Sequence, residues 1–191
     1  MDLNESNDKE RLSRIYPILL REYNPAWAAW FTEEKTNLER LIGVEYIARI
    51  SHFGSTSVPG LTAKPTVDIL LEIQECTNID HLISALPSPE YICLNPPDMP
   101  TPPPHLMFLK GYLPDGFAEK VYHIHVRYLD DPDEFYFRDY LIAHPDAAAE
   151  YAELKHRLFQ DYEHDRNGYT GAKTNFIRSI TKKAKEAQHG R

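Results

Sequence analysis

The sequence predicts an α+β domain with a mixed β-sheet and helices packed mainly on one side of it. An amphipathic helix comes first, short apolar stretches typical of strands follow, and helical patterns end the chain. A chain of 191 residues is long enough for one full core and too short for two comfortable domains. We therefore expect an N-terminal tail with a short helix over 1–21 and a single domain over 22–191.

The first long helix is predicted over about 25–42, after a short amphipathic helix over about 12–19. Asn24 can accept hydrogen bonds from free N–H groups at a helix start, and Pro25 fits the first turn. Gly43 then supplies a stop. The apolar side chains of this helix share one face that we expect to pack on the sheet: Trp27, Trp30, Phe31, Leu38, Leu41 and Ile42.

Apolar stretches bounded by turn residues predict the strands. Pro59 and Pro65 exclude a long regular helix between the first two strands, because proline lacks an N–H donor and restricts the residue before it. The second strand is almost continuously apolar, which predicts burial on both faces. Strands are expected over 44–53, 66–73, 105–110 and 121–129, with a brief apolar segment at 91–94.

Helical patterns dominate the end of the chain. A short helix is predicted over 79–86, and longer ones over 133–142, from Pro145 onward and over 169–187, with Gly168 breaking the last two apart. Between the short helix and the third strand, the proline-rich segment 96–104 cannot be helix or central strand. It is either a lengthened hairpin connection or a docking site for an aromatic-lined partner domain.

The charge distribution bears on the class of ligand. A net charge of −8 opposes non-specific binding to nucleic acid, so no nucleic-acid partner is expected. The C-terminal segment 165–191 is nevertheless basic, with seven Lys or Arg against two acidic residues. A basic end on an acidic body suits a small phosphorylated ligand, although a solvated Lys-rich helix accounts for the same pattern.

Cysteine content and the N-terminus bear on location. Cys76 and Cys93 are too few and too far apart for a disulfide framework or a C-x-x-C motif, which fits a reducing compartment. The start of the chain is polar, without an apolar signal segment, and no run of about 18 apolar residues is present. We expect a cytoplasmic protein without a membrane partner. The sequence does not predict its oligomeric state.

The segment from His52 to Glu72 carries the chemistry. Its small-residue turn Gly54-Ser55-Thr56-Ser57 can bring backbone N–H groups and three hydroxyls close to a phosphate. Asp68 begins the following strand, where a carboxylate can hold the Mg²⁺ that accompanies a nucleoside triphosphate. This arrangement is typical of nucleotide binding.

The same segment resembles the GrpB family, which is related in fold to the nucleotidyltransferase superfamily. The resemblance extends over roughly 22–181 and implies a nucleotidyltransferase-like sheet. The matching residues are His52, Gly54 to Leu61, Lys64-Pro65, Asp68-Ile69, Tyr23-Asn24-Pro25 with Trp27, His123 to Val126, Phe137 to Leu141 with Ala143-His144-Pro145, and Tyr169 with Lys173 and Phe176-Ile177.

The superfamily implies a specific pattern of metal ligands. A Gly-Ser turn holds the triphosphate, and two carboxylates one residue apart follow about a dozen residues later. Twelve residues separate Ser55 from Asp68, but Leu70 occupies the place of the second carboxylate. Glu72 points the same way yet lies about 13 Å along the strand at ~3.3 Å per residue. The sequence thus departs from the two-carboxylate pattern.

His123 and His125 are candidates for the missing ligand. Spaced i and i+2 on a strand, both imidazoles project to one face. If an antiparallel neighbouring strand brings Asp68 opposite, the three side chains form a catalytic two-His, one-carboxylate site for Mg²⁺ or Mn²⁺, or for Zn²⁺, which imidazole prefers to Mg²⁺. Alternatively, one His is a core residue and the other binds substrate. His52 is interpreted as structural.

Four further residues are candidate contacts for the nucleotide. Lys64 lies between the turn and Asp68, and Arg138 can bind a phosphate with two parallel hydrogen bonds. Tyr169 and Lys173 are i and i+4 on the last helix and share a face suited to a base and its phosphates. Each has a structural alternative: a solvated Lys64, an Arg138 paired to a neighbouring acid, and a core Tyr169 beside a polar Lys173.

These observations lead to one functional hypothesis with two alternatives. The leading hypothesis is nucleotidyl transfer from a metal-bound nucleoside triphosphate to a small acceptor. The first alternative is a non-catalytic domain that binds a nucleotide or phosphorylated metabolite. The second is an enzyme using a single transition metal held by the two histidines and Asp68. The Leu70 departure leaves open whether the protein is an enzyme.

Overall fold

The computed structural model describes residues 11–94 and 103–189. Besides a helical stretch over 11–15 and two short 3₁₀ turns, Val44–Tyr46 and Ser55–Ser57, it contains α1 (Ala26–Ile42), β1 (Ile47–Phe53), β2 (Val67–Ile73), α2 (Ile79–Ala85), β3 (Tyr91–Leu94), β4 (Leu106–Leu113), β5 (Gly116–Tyr128), α3 (Asp133–Ala143), α4 (Pro145–Tyr162) and α5 (Arg166–His189).

The strands form one five-stranded mixed sheet in the order β1-β2-β5-β4-β3. β2 and β5 pair in parallel, with Asp68 opposite His123, while the other neighbours are antiparallel. The predicted α+β class with a mixed sheet is confirmed. The expectation that Asp68 faces the histidines across an antiparallel pair was wrong. The chain passes through α2, β3 and β4 before β5, so that β5 runs in the same direction as β2.

The two faces of the sheet have different environments. Ile69 and Leu71 of β2 belong to the main core with Trp27 and Leu38 of α1. Alternate β2 residues, including Asp68, project to the opposite face. Because β2 is central and its neighbours on both sides are paired, six of its seven residues are buried, as predicted, and Asp68 is the partly exposed one.

The last three helices pack together. Leu141 of α3, Tyr151 of α4 and Ile180 of α5 form a second core cluster with Val58 and Leu61 from the loop before β2. This cluster anchors the helices to the β1–β2 connection, on the side of the sheet that carries Asp68. A space remains between the sheet and α4 and α5, and it is the candidate site.

Two local predictions were wrong. Gly168 lies inside α5 rather than between helices, because the turn occurs at 163–165. A Cβ at Gly168 would collide with the ring of Tyr162, so the glycine permits close packing and does not end a helix. The first helical stretch ends at 15 rather than extending to 19, and the Ile18 N–H instead donates to the Glu163 carbonyl.

Other predicted boundaries agree with the structure within a few residues. β4 and β5 are longer than expected and meet in a tight turn at Pro114-Asp115, because Leu113 pairs with Gly116. Residues 1–10 of the expected tail and short helix over 1–21, and most of the proline-rich segment 96–104, lie outside the described residues. The segment joins β3 and β4, which are antiparallel neighbours. Over 11–94 and 103–189, no helix combines the length and apolar character needed to span a membrane.

Candidate functional site

A cavity of about 1060 Å³ lies between the Asp68 face of the sheet and the helices α4 and α5. The sheet contributes a carboxylate and two imidazoles, the β1–β2 connection contributes small and hydroxyl-bearing residues, and α5 contributes most of the positive charge. The wall that carries chemistry includes Gly54, Ser55, Asp68, His123, His125 and Lys173.

Asp68, His123 and His125 form a compact group on the sheet. Asp68 Oδ1 lies 3.5 Å from His123 Nδ1 and 3.9 Å from His125 Nε2. One ligand atom from each residue lies within 4.8 Å of the others. The parallel register sets Asp68 opposite His123, and the two-residue repeat of the strand adds His125 on the same face. The structure therefore brings together the three residues predicted as metal ligands.

The environment of this group keeps Asp68 ionised. Burial acts to raise the pKa of Asp68, but hydrogen bonds and charge interactions with His123 and His125 hold it well below its usual range. Burial lowers the pKa of His123, which favours its neutral form. The side chains keep 17–26% exposure, so a small ion or ligand atom can reach them from the cavity.

The donor set fits a transition-metal ion. Two neutral imidazoles and one carboxylate are common ligands of Zn²⁺, Mn²⁺ and Fe²⁺. His123 Nε2 and the Tyr112 hydroxyl are joined by a hydrogen bond of 2.7 Å, and Arg166 donates to the same hydroxyl at 3.1 Å. A second partner of this kind fixes the ring of a metal-binding histidine.

Position 70 offers no further ligand. Leu70 is fully buried, and Glu72, two residues on, is bound to the Arg49 guanidinium, whose Nη2 lies 2.6 Å from Glu72 Oε1. The carboxylate of Glu72 is thus occupied in an ion pair at a distance from Asp68. Within the described residues, the site offers one carboxylate where the superfamily pattern has two.

The Gly54 turn presses against Asp68. Gly54 adopts φ +70°, and a Cβ at this position would overlap the Asp68 carboxylate. Only glycine combines that conformation with such a close approach. Ser55 and Thr56 line the cavity, whereas Ser57 is not among the lining residues and its hydroxyl donates to the Gly54 carbonyl at 2.6 Å. Three of the four predicted turn residues therefore reach the cavity.

Positive charge converges on the opposite wall. Lys64, Arg166, Lys173 and Arg178 all line the cavity, and Lys182 and Lys185 extend this surface along α5. Burial and the neighbouring Lys64 charge lower the pKa of Lys173 to about 7, although Asp68 acts to raise it. Five of the seven basic residues of the C-terminal segment therefore line the cavity, although Lys182 keeps 78% exposure and Lys185 pairs with Asp133. Such a wall attracts an anion with several charges.

Tyr169 brings a buried hydroxyl to this region. The residue is 1% exposed and lines the cavity, and its Oη has no hydrogen-bond partner within the described part of the chain. Lys173 Nζ lies 4.3 Å from the centre of its ring. A buried unpaired hydroxyl costs free energy, which makes Tyr169 a candidate for a hydrogen bond to a ligand.

Two further residues from the sequence stand apart from the cavity. Arg138 donates to Asp139 Oδ1 at 2.7 Å and to the His52 carbonyl at 2.9 Å, and it is not among the lining residues. The Arg138 guanidinium group thus joins α3 to β1. His52 stacks on Phe31 and hydrogen-bonds with Thr56, and burial lowers its pKa to about 4, in line with its structural interpretation.

The structure adds residues that the sequence reasoning missed. Lys155 is 2% exposed, and its Nζ donates to the Thr62 carbonyl and lies 3.4 Å from Ser55 Oγ. The available signal was the apolar stripe of α4: Lys155 shares a helix face with Tyr151, Ala152 and Leu158, and a lysine among such positions is expected to be buried. For Tyr112 and Arg166 no local sequence signal exists, because their contact with His123 depends on the β4–β5 hairpin and the start of α5.

Comparison with known proteins places this geometry in a family. A family model described as GrpB protein matches residues 17–183. The chain belongs to the GrpB family. UPF0157 protein YqkA of Bacillus subtilis is 33% identical over 173 residues, covering 88% of this chain and 48% of YqkA. Glutamate-rich protein GrpB of Alkalihalophilus pseudofirmus is 30% identical over 166 residues, covering 85% of this chain and 93% of that protein.

Further relatives extend the comparison. UPF0157 protein PA4798 of Pseudomonas aeruginosa is 35% identical over 164 residues, covering 84% of this chain and 65% of that protein. The chain thus spans about half of YqkA and just under two thirds of PA4798. A crystal structure of the conserved protein GrpB from Enterococcus faecalis superimposes with a TM-score of 0.74 at 28% identity, covering 89% of this chain and 99% of that one. The GrpB resemblance and the fold are therefore confirmed.

Proposed function

We propose that this GrpB-family protein binds a nucleoside triphosphate in the cavity and transfers its nucleotidyl group to a small acceptor. The observation that carries this proposal is the convergence of opposite charges in one space. Asp68, His123 and His125 lie on one wall, and Lys64, Arg166, Lys173 and Arg178 lie on the others. A metal-bound polyphosphate needs both kinds of side chain: acidic and imidazole groups for the metal, and basic groups for the phosphates.

The residues have separable roles in this proposal. Asp68, His123 and His125 would hold a divalent metal, which when bound polarises a phosphoryl oxygen and offsets the charge of the leaving pyrophosphate. Lys173, Arg166 and other basic side chains of α5 bind and orient the phosphate groups. Gly54 lets the backbone approach the ligand beside Asp68, as a phosphate-binding turn requires.

The cavity is large enough for a nucleotide and an acceptor together. A volume of about 1060 Å³ is at the upper end of ordinary small-molecule sites and leaves room for a nucleotide together with an acceptor. The apolar part of the lining, including Phe53, Met107 and Leu109, offers a surface for a base or for an apolar acceptor. Tyr169 adds an unpaired hydroxyl for a polar ligand atom.

A second candidate is nucleotide binding without turnover. Buried Leu70 in place of the second carboxylate favours it, because the two-metal arrangement of the superfamily needs that ligand. This candidate predicts binding that is independent of Asp68. A third candidate, single-metal chemistry on a different substrate, is favoured by the two imidazoles, which are poor ligands for Mg²⁺.

Binding and turnover of the four common nucleoside triphosphates test these candidates. Calorimetry with Mg²⁺, Mn²⁺ or Zn²⁺ measures binding, and ³¹P spectroscopy measures pyrophosphate release. We expect wild-type protein to bind and turn over a triphosphate, and Asp68→Asn to lose turnover by about 10²-fold or more. Asp139→Asn, which removes an exposed acid of α3 that does not line the cavity, is the matched control.

The outcomes separate the candidates. Binding that is unchanged in Asp68→Asn and lacks turnover supports the second candidate and rejects the first. Stoichiometric Zn, Mn or Fe in the purified protein, lost in His123→Ala, without nucleotide binding, supports the third. Absence of nucleotide binding in wild type under all three metal conditions rejects both of the first two candidates.

A further inference from the structure

Ser55 lies in a position unusual for a residue that only contacts phosphate. It follows Gly54 directly, at the end of β1 and the start of the 3₁₀ turn Ser55–Ser57. Its Oγ lies 3.4 Å from Lys155 Nζ, and Tyr151 also lines the cavity. Tyr151 and Lys155 are one turn apart on α4 and are the two residues of that helix that are fully buried. A hydroxyl from the turn after β1 thus meets the amino group of a lysine from α4 inside the cavity.

Lys155 is buried without an acidic partner among the described residues. Its Nζ bonds to the Thr62 carbonyl and packs 4.5 Å from the centre of the Tyr151 ring. No acidic side chain of the described residues contributes to its charge balance. Burial, and then the nearby charge of Lys173, lower the pKa of Lys155 to about 7. A neutral amine donates to the Thr62 carbonyl and keeps a lone pair for the Ser55 hydroxyl proton.

Within the described residues, Lys155 is the basic side chain that lies within hydrogen-bonding distance of Ser55. Leu70 is buried where the superfamily has its second carboxylate, and Asp68 is engaged with His123 and His125. A nucleophile activated by a neighbouring lysine is an established solution to the same chemical problem. In this structure Lys155 Nζ donates to Ser55 Oγ at 3.4 Å. A neutral Lys155 lets the same pair reverse this bond so that the serine donates, and apo distances of this kind shorten when substrate binds.

We propose that Ser55 is the nucleophile of a two-step transfer, with Lys155 as its general base, so that the nucleotidyl group is carried on the serine before it reaches the acceptor. This inference rests on the proposed nucleotidyl transfer and adds its route. The inference assigns a covalent intermediate to the site. It also gives a catalytic role to Lys155, for which the sequence predicted only burial on a helix face.

Both steps balance. In the first, Ser55 Oγ forms a bond to the α-phosphorus and the bond from that phosphorus to the bridging oxygen breaks. Pyrophosphate leaves with the electron pair, and the Ser55 proton passes to Lys155. In the second, an acceptor hydroxyl bonds to the same phosphorus and releases its proton to solvent. The bond to Ser55 Oγ breaks, and Ser55 recovers its proton from the Lys155 ammonium.

The intermediate is tested by leaving out the acceptor. The full chain is incubated with Mn²⁺ and ATP, GTP, CTP or UTP, quenched in acid, and examined by intact-mass and peptide mass spectrometry. We expect a mass increase of one nucleoside monophosphate, located on Ser55. Ser55→Ala abolishes it. Ser51→Ala, four residues earlier on β1 and outside the cavity lining, retains it.

Two lysine variants separate a base from an anion contact. Lys155→Met removes both functions, while Lys155→Arg keeps the positive charge and cannot accept a proton near neutral pH. We expect both to slow adduct formation by about 10²-fold or more, and Lys155→Arg to keep nucleotide affinity within about threefold. If Lys155→Met does not fold, the arginine variant still decides between the two roles.

Results that contradict the covalent route can be told apart from results that contradict nucleotidyl transfer itself. Pyrophosphate release that persists in Ser55→Ala within about twofold of wild type overturns the covalent route and leaves nucleotidyl transfer standing. Nucleotide binding with neither adduct nor pyrophosphate release in wild type rejects the route together with the transfer. Wild type that binds no nucleotide rejects the function itself. An adduct at Ser55 formed equally fast in Lys155→Arg removes the lysine from the mechanism.

Discussion

The backbone of Gly54 lies against the side chain of Asp68, so closely that a Cβ at position 54 would overlap the carboxylate. Gly54 also has φ +70°, which favours glycine. The turn that can cradle a phosphate and the carboxylate that can hold a metal are therefore one unit, joined by the β1–β2 pairing in which Phe53 lies opposite Asp68.

Gly54→Ala tests this relationship. We expect a loss of about 1–2 kcal/mol of unfolding free energy, measured by urea denaturation, because alanine disfavours positive φ. The larger effect falls on binding, since the new methyl group displaces the Asp68 carboxylate. Affinity for Mn²⁺ or Zn²⁺, measured by calorimetry, should fall by at least about tenfold.

Gly60→Ala is the matched control for the glycine. Gly60 has φ +77° and open space where its Cβ would be, so it carries the same backbone cost without touching Asp68. We expect similar destabilisation of the two variants and unchanged metal affinity in Gly60→Ala. Equal metal affinity in both variants would mean that the Gly54 contact has no part in binding.

Tyr169→Phe is expected to change stability and affinity in opposite directions. Its hydroxyl is buried without a partner in the described residues, so its removal should raise the unfolding free energy of the ligand-free protein by about 1 kcal/mol. Affinity for the nucleotide should fall by about tenfold, because the ligand loses its hydrogen bond. Thermal denaturation and calorimetry on the same samples measure the two effects.

Tyr91→Phe is the control for Tyr169→Phe, because the buried Tyr91 hydroxyl has hydrogen-bond partners. Tyr91 is buried on the other side of the sheet, donates to Glu34 at 2.7 Å, and accepts hydrogen bonds from Asn37 and Lys110 at 2.7 and 3.0 Å. We expect this variant to lose about 1–3 kcal/mol with nucleotide affinity unchanged. A Tyr169→Phe protein less stable than wild type would show that the hydroxyl has a partner and would remove the argument for a ligand.

The fold was largely predictable because its signals are local. The Asn24-Pro25 start and Gly43 end of α1 lie within two residues of the observed helix, and the continuous apolar run of β2 predicted burial on both faces. Strand alternation also predicted that His123 and His125 share a face. Parallel pairing of β2 and β5 was not predictable in the same way, because it depends on the path of the chain through three intervening elements.

The predicted site is incomplete for the same physical reason. Asp68 and Lys173 reach the cavity, but Arg138 is used between α3 and β1, since the His52 carbonyl lies within its reach once the strand is placed. The apolar stripe that contains Lys155 predicts that this lysine is buried. It does not predict that its amino group lies near the Ser55 hydroxyl. Contacts between distant segments decide roles that residue type alone leaves open.

Tyr112 is expected to tune metal binding without being a ligand. Its hydroxyl holds His123 Nε2 at 2.7 Å on the side away from Asp68. Tyr112→Phe should weaken Zn²⁺ or Mn²⁺ binding by about tenfold, because the imidazole loses the partner that orients it. His156→Ala, which removes an exposed histidine of α4, should leave the affinity unchanged. Equal losses in the two variants would indicate scattered surface binding of metal rather than the proposed site.

Binding of a polyanion is expected to take up protons. The pKa of Lys173 is lowered from 10.5 to about 7 by burial and by Lys64, although Asp68 opposes the shift, and the pKa of Lys155 is lowered similarly beside Lys173. Between about pH 7 and 10.5 the folded protein therefore binds fewer protons than the unfolded chain, and the stability of the ligand-free protein should rise with pH in that range.

A phosphate bound beside Lys173 reverses the pKa shift of that residue, because it favours the ammonium form. Affinity should fall as pH rises above about 7, and calorimetry at pH 8 in two buffers of different ionisation enthalpy should show net proton uptake. Lys173→Arg, which remains charged, should remove most of this uptake and flatten the pH dependence, because Lys155 stays neutral as the proposed base. Proton release on binding at pH 8 would mean that the ligand does not meet Lys173, and the basic wall of α5 would then have another role.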